Sequence, residues 1–298
     1  MTEDNTVVIC HDEDLSRICD FKKLETRKFI GEFTYDNLPK KWQEKVVMVV
    51  EPGERESYDY PCQFLELPEE IVGSWTQLAE TRKLIHLHAG DIKYAMVDDD
   101  CQLVTRNSKY WSAQSNMEKS KRTSTEEEIN RLFDSASKWL DEENMGVVGI
   151  SSGDDFPRPQ EYIDTIGVFT WLFLDGKKIS PIAQDLTTEF RVAEDLAFMF
   201  HCLSNGVNTR KSNEFLFLNR SQTKEFEGKR PIWEETIKDK SETNIFQSEE
   251  HYEILRGIQK LWPIAIDIFE KDGKKKNRKN WSKIYTPKCA NTLEDFMS

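Results

Sequence analysis

Tyr94-Ala-Met-Val97, followed at once by Asp98-Asp99-Asp100, is the stretch that decides how this chain is read. The first four residues read as a short strand, so three carboxylates stand where a strand runs out. By alternation along an extended chain, Asp98 and Asp100 share one face and Asp99 takes the other. Open α/β sheets bind ligands at the carboxyl ends of their strands. Carboxylate oxygens are hard ligands that suit Mg²⁺ or Mn²⁺, usually together with substrate phosphates and waters. The stretch therefore predicts an enzyme that grips a diphosphate through a divalent metal. The plainer reading is an acidic turn, because Asp is common in loops.

Working outward, strands and helices alternate. Val7-Val-Ile-Cys10 is a short apolar strand, and Val46-Val-Met-Val-Val50 has the β-branched character of a strand buried on both faces. Pro52-Gly53 stops the second of these, and Phe64-Leu-Glu-Leu67 ends at Pro68. A helix is expected from about Glu69 to His88. Beyond the aspartates, residues 106–123 read as a basic loop, and Ser124-Thr-Glu-Glu127 as a capping box opening a helix. Val147–Ile150 and Gly167–Leu174 read as strands, the second with a hairpin turn at Asp175-Gly176. A helix over Arg191–Asn205 with Gly206 behind it, a strand over Glu214–Leu218 and a helix from His251 to Phe269 broken at Pro263 complete the pattern. Short parallel strands separated by helices predict a wound α/β sheet. The expected organisation is a main domain over residues 1–220 and a C-terminal extension over 221–298.

Composition narrows the classes. With 298 residues, 38% hydrophobic, eight Trp and seventeen Phe, the chain has ample material for a packed interior. No apolar run approaches the ~20 residues of a membrane span, and Met-Thr-Glu-Asp-Asn lacks the basic and apolar regions of a secretory signal. Six scattered cysteines without a C-x-x-C pair fit reduced thiols in a cytoplasm. The net charge is −13, yet residues 271–288 hold eight basic residues against Asp272 alone. That segment is +7, which leaves −20 on the rest. It is a candidate phosphate-contacting strip, through Lys274, Lys275, Lys276, Arg278 and Lys279, on a body that repels polyanions elsewhere. Its plainer reading is a solvated tail.

Glu194-Asp195, in the first turns of the Arg191 helix, form a second acidic constellation. The helix dipole alone favours acids there. If this helix end faces the aspartate edge, Asp195 is placed to accept a proton from a bound hydroxyl. His86-Leu-His88 is a weaker metal candidate, with no third ligand near in sequence.

At these residues the chain resembles a family. Thr34-x-x-x-Leu38-Pro39, Val46 to Glu51, Tyr58, Leu65-x-Leu67-Pro68, Ala79-x-x-Arg82, Val97-Asp-Asp-Asp100 and Glu194-Asp195-Leu196 followed by Gly206 together resemble the GT-A glycosyltransferases of phages. Those are related to enzymes encoded beside thymine/5-methylcytosine hydroxylases, and the likeness runs from Val7 to Leu218. The resemblance implies a GT-A-like mixed sheet flanked by helices. It implies Asp98 and Asp100 as the D-x-D pair holding Mn²⁺ or Mg²⁺, and Arg82 and Asp99 beside a nucleotide-sugar donor, UDP-linked. Asp195 would be the general base, with Glu194 beside it. The implied acceptor is DNA carrying hydroxymethylated pyrimidines such as 5-hydroxymethylcytosine, modified in the host cytoplasm with neither membrane nor obligate protein partner. The first strand departs from the pattern, because His11-Asp-Glu-Asp14 stands where an Arg-containing loop is expected. Two other readings stay open: a transferase of the same fold acting on a small molecule, glycan or protein, and a non-catalytic binding module.

Overall fold

The computed structural model describes residues 7–10, 34–53, 55–57, 60–74, 76–98, 101–106, 121–152, 160–190, 193–219, 249–271 and 274–280. Ten strands form one mixed sheet: β1 (Val7–Cys10), β2 (Val46–Val50), β3 (Gln63–Glu66), β4 (Lys93–Val97), β5 (Cys101–Arg106), β6 (Lys121–Thr123), β7 (Met145–Ser152), β8 (Tyr162–Asp164), β9 (Trp171–Asp175) and β10 (Asn208–Asn219). Their order is β3-β2-β1-β4-β9-β7-β10-β5-β6, with β8 paired to β10. The described helices are α1 (Lys40–Gln43), α2 (Gln77–Ala89), α3 (Glu126–Leu140), α4 (Gly176–Ala183), α5 (Glu194–Ser204) and α6 (Glu249–Leu261). A separate hairpin of β11 (Ile266–Lys271) and β12 (Lys274–Lys279) follows α6.

Strand direction decides which strand ends gather at one edge. β2 and β3 are parallel, as are β7 and β10, and each of these runs the same way as β4 through the antiparallel partners β1 and β9. The carboxyl ends of β2, β3, β4, β7 and β10 therefore gather at one edge, and Asp98 leaves β4 there. The central strands are buried on both faces because helices cover both. Successive residues of β4 show this: Tyr94 hydroxyl lies 2.7 Å from His86 Nδ1 on α2, while Lys93 Nζ donates to the Ser137 carbonyl on α3 at 2.9 Å. On the α3 side Phe133 meets Phe173 edge-on, with centroids 5.0 Å apart.

Helix α5 lies on the α2 side, where Phe198 stacks on His86 at 4.4 Å. It is buried around its whole circumference, as expected of a helix sandwiched between layers. Phe198, Met199 and Cys202 join the main core, whereas Leu196, Ala197, Phe200 and Leu203 pack with Tyr252, Leu255, Ile258 and Trp262 of the C-terminal segment. The C-terminal residues thus dock through a second core of their own. Gly206, at φ +76°, ends α5 in a Schellman motif: its N–H bonds Leu203 O and the Val207 N–H bonds Cys202 O.

The architecture is mixed α/β with a multi-stranded sheet flanked by helices; the alternation of elements predicted the α/β class, whereas the parallel pairing it also predicted is found, among the described residues, only between β2 and β3 and between β7 and β10. Several local expectations differ. β1 runs antiparallel to both β2 and β4, so the sheet is mixed at its first strand. Helix α2 starts at Gln77, because turns occupy residues 69–73 behind Pro68. Asp175-Gly176 makes no hairpin: Asp175 caps α4, accepting from the Lys177 N–H at 3.1 Å. Gly176 is required by close approach, since an added Cβ would meet Gly90 O at 2.2 Å and Ile92 O at 2.4 Å. The capping box sits one residue later than expected, between Thr125 and Glu128, because Ser124 is buried against Thr105. The last helix stops at Leu261, and Ile266–Lys271 continues as strand. Pro263 ends the helix, and the Ile-Asp-Ile alternation that follows suits a half-buried strand. His86 and His88, two apart on α2, face different ways and form no ligand pair.

Candidate functional site

Arg82 is the organising residue of the candidate active site. It projects from the middle of α2, its Nη1 2.7 Å from Glu194 Oε1 and its Nη2 3.7 Å from Asp98 Oδ1. The Arg82 and Glu194 side chains are only 13% and 10% exposed, so the contact forms where water screens little. Three elements meet at this guanidinium: helix α2, the carboxyl end of β4 and the first turn of α5. Residues 112 apart in sequence thereby share one charge cluster. Arg82, Asp98 and Glu194 were each singled out from the sequence, and the fold brings all three together.

The entry to α5 is tight. Ala193, immediately before Glu194, holds φ +62° and ψ 25°, a left-handed conformation that costs a residue with a Cβ about 1–2 kcal/mol. That turn aims the acid pair. Asp195 Oδ1 accepts from the Leu196 N–H at 2.6 Å, tying the carboxylate to the helix start. Lys279, the last residue of β12, feels the Asp195 carboxylate. Its side chain keeps solvent-accessible surface, yet the packing around its ammonium pushes the pKa below the usual lysine value, against the opposing pull of Asp195. The hairpin that carries the basic strip packs Ile266 and Ile268 in one apolar cluster with Ala193 and Leu196, on either side of the acid pair.

The aspartate edge is fastened by a residue that spacing alone did not single out. Thr34 is 1% exposed. Its hydroxyl accepts the Cys101 N–H at 3.0 Å and donates to the Asp98 carbonyl at 2.8 Å, with the Cys101 carbonyl at 3.2 Å as its alternative acceptor. One buried hydroxyl thus clips both ends of the segment that holds the aspartate trio. Asp99 and Asp100, with their expected donor and metal roles, lie outside the described residues. Trp171 starts β9 opposite Val97 and buries its indole Nε1 with no hydrogen-bond partner among the described residues. The carboxyl edge of the sheet therefore holds a donor that the described protein does not satisfy.

The donor chemistry suits a divalent metal at Asp98: its carboxylate oxygens are hard ligands, and a quarter of the side chain remains open. Among the described residues no group of three His, Cys, Asp or Glu is arranged around a metal position. His86 is excluded as a ligand on other grounds. It is buried, its Nδ1 lies 2.7 Å from the Tyr94 hydroxyl, and its ring is stacked on Phe198.

The basic residues divide between two faces of the hairpin. Arg278 stands directly opposite Asp267 and bonds it at 2.6 Å, and Lys276 stands opposite Phe269. Lys275 and Lys279 belong to the other face by alternation, the one whose Ile266 and Ile268 meet the second core. Lys274 opens β12, and Lys283 and Lys288 fall outside the described residues. Asp267 neutralises part of the strip locally, so it is less basic than residues 271–288 suggested. No helix of the described residues is long and apolar enough to cross a membrane. Compared with protein-family models, curated proteins and solved structures, the chain matches none of them.

Proposed function

We propose that this protein is a metal-dependent glycosyltransferase that moves a sugar from a nucleotide-sugar donor onto the hydroxymethyl group of a modified pyrimidine in DNA, with inversion. One observation carries the reading: Arg82 contacts both Asp98 at the end of β4 and Glu194 at the start of α5. This draws a strand-end carboxylate suited to a metal and an acid pair suited to proton transfer to one place. The resemblance over Val97–Asp100 and Glu194–Leu196 supports the same assignment.

In this reading Asp98, with Asp100, would hold Mn²⁺ or Mg²⁺, which would supply Lewis acidity for the charge of a departing diphosphate. Arg82 orients Asp98 and Glu194 and supplies positive charge at the donor end of the site. Thr34 keeps the aspartate segment in place. The Asp195 carboxylate takes the proton of the acceptor hydroxyl as its oxygen bonds to the anomeric carbon, while the bond from that carbon to the diphosphate breaks. A base inside a duplex must leave the stack to reach such a site.

Mass spectrometry of nucleosides tests this directly. Hydroxymethylated DNA incubated with the protein, Mn²⁺ and a panel of nucleotide sugars should yield a nucleoside heavier by one sugar, and Asp98→Asn should abolish it. The absence of any new nucleoside with every donor would sink the proposal. The net charge of −13 favours a second reading, transfer to a small molecule, glycan or protein by the same site. Donor consumption with uncharged hydroxyl acceptors, but not with DNA, would select it.

A further inference from the structure

The β11–β12 hairpin is a two-stranded ribbon with two unlike faces. Register and alternation put Ile266, Ile268, Lys275, Asn277 and Lys279 on one face, and Asp267, Phe269, Lys271, Lys276 and Arg278 on the other. The first face is committed to the fold: Ile266 is fully buried, Ile268 packs on the second core, and the Tyr252 hydroxyl donates to the Lys275 carbonyl at 2.6 Å. The second face is open. Phe269 is 42% exposed in the middle of it, and the Arg278 side chain is 68% exposed. Three of the four large hydrophobic residues exposed among the described residues, Leu261, Ile264 and Phe269, belong to this C-terminal segment.

An aromatic ring standing open among cations, on a protein whose remainder is strongly acidic, calls for an occupant that is both anionic and able to stack. A nucleic-acid strand has both properties, since every base has a π-face and every linkage a charge. A lipid surface is the less suitable polyanion. A broad anionic plane would also confront the acidic body within a Debye length of about 8–10 Å, whereas a strand can follow the ribbon alone. We propose that the outer face of the β11–β12 ribbon binds a nucleic-acid strand with unstacked bases, Phe269 stacking on a base while Lys271, Lys276 and Arg278 contact phosphates. This rests on the DNA-acceptor reading and deepens it, because Ile266 and Ile268 of the same ribbon pack in one apolar cluster with Ala193 and Leu196, the residues that flank the acid pair.

Fluorescence anisotropy of the full chain tests this without donor or metal. The probes are a labelled 20-nucleotide thymidine oligomer, a blunt duplex of the same length and anionic phosphatidylserine vesicles. The single strand should bind more tightly than the duplex. Phe269→Ala and Phe269→Leu should each weaken single-strand binding roughly five- to a hundred-fold, with the salt dependence unchanged. Lys276→Gln/Arg278→Gln should lower the slope of log affinity against log salt by about 1.4. Phe269 variants that bind like the wild type, or binding to vesicles alone, would overturn the proposal. Sugar transfer to DNA with unaltered binding by all these variants would overturn the ribbon and leave the transferase standing. Strand binding with the expected losses but no sugar transfer would do the reverse.

Discussion

Replacing Arg82 by methionine, which keeps most of the side-chain bulk and removes the charge, probes the centre of the molecule. In the folded protein the guanidinium lies 2.7 Å from a Glu194 carboxylate that is 10% exposed, and 3.7 Å from Asp98. Removing one partner of a buried ion pair costs about 3–5 kcal/mol, because the remaining charge stays where water solvates it poorly. Glu194 sits in the first turn of α5, where the helix dipole returns up to ~1 kcal/mol. Asp98 is a quarter exposed, and water takes over much of its solvation. The net loss should be about 2–4 kcal/mol, or roughly 3–6 °C in Tm for a chain of this size. Urea unfolding of wild type, Arg82→Met, Glu194→Gln and the double variant measures it. The double variant should recover at least half of the Arg82→Met loss, because no buried carboxylate then lacks its counter-charge. A loss below about 0.5 kcal/mol, or a double variant no more stable than Arg82→Met, would refute Arg82 as the link between β4 and α5.

Three further outcomes follow from the packing and the titration of particular groups. Leu255→Ala, fully buried between α5 and α6, should cost about 2–4 kcal/mol and raise hydrogen exchange in α6 and the hairpin before the central strands, and uniform exchange would contradict a separate second core. Gly176→Ala drives a Cβ onto two backbone carbonyls that cannot yield, so soluble expression or thermal stability should fall sharply, and unchanged stability would show that the α2–β4 turn and α4 do not meet closely. His86 is held neutral down to about pH 3, chiefly by its burial. Its stabilising contribution is complete above the unfolded pKa near 6.5. It is lost as pH falls towards 3, by about 1.4 kcal/mol per pH unit, because the unfolded chain takes the proton that the folded one refuses. His86→Gln should flatten the fall of the urea midpoint between pH 6.5 and 4, and an identical slope in both proteins would refute the assignment.

What the sequence determined by itself was local. β-Branched and apolar runs marked β2, β4, β7 and β9, because burial on both faces selects those residues wherever they lie in the sheet. The stripe Ile129, Leu132, Phe133, Ala136, Trp139, Leu140 marked α3, because a helix hides one face at a fixed period, and only Trp139 of it is partly rather than fully buried. The strand-end position of Asp98 was equally legible, since a strand boundary is written in consecutive residues. Tertiary structure alone decided direction and partnership. An apolar strand reads the same whichever way it runs, so the antiparallel course of β1 left no trace in Val7–Cys10. Asp175-Gly176 has the composition of a turn, and only the approach of Gly90 and Ile92 makes it a helix start. The meeting of Arg82 with Asp98 and Glu194, the Thr34 clip across residues 98–101, and the nearness of Lys279 to Asp195 depend on elements far apart in the chain. Charge and hydroxyl groups carry no periodicity that names a distant partner, and packing of the layers settles which of them meet.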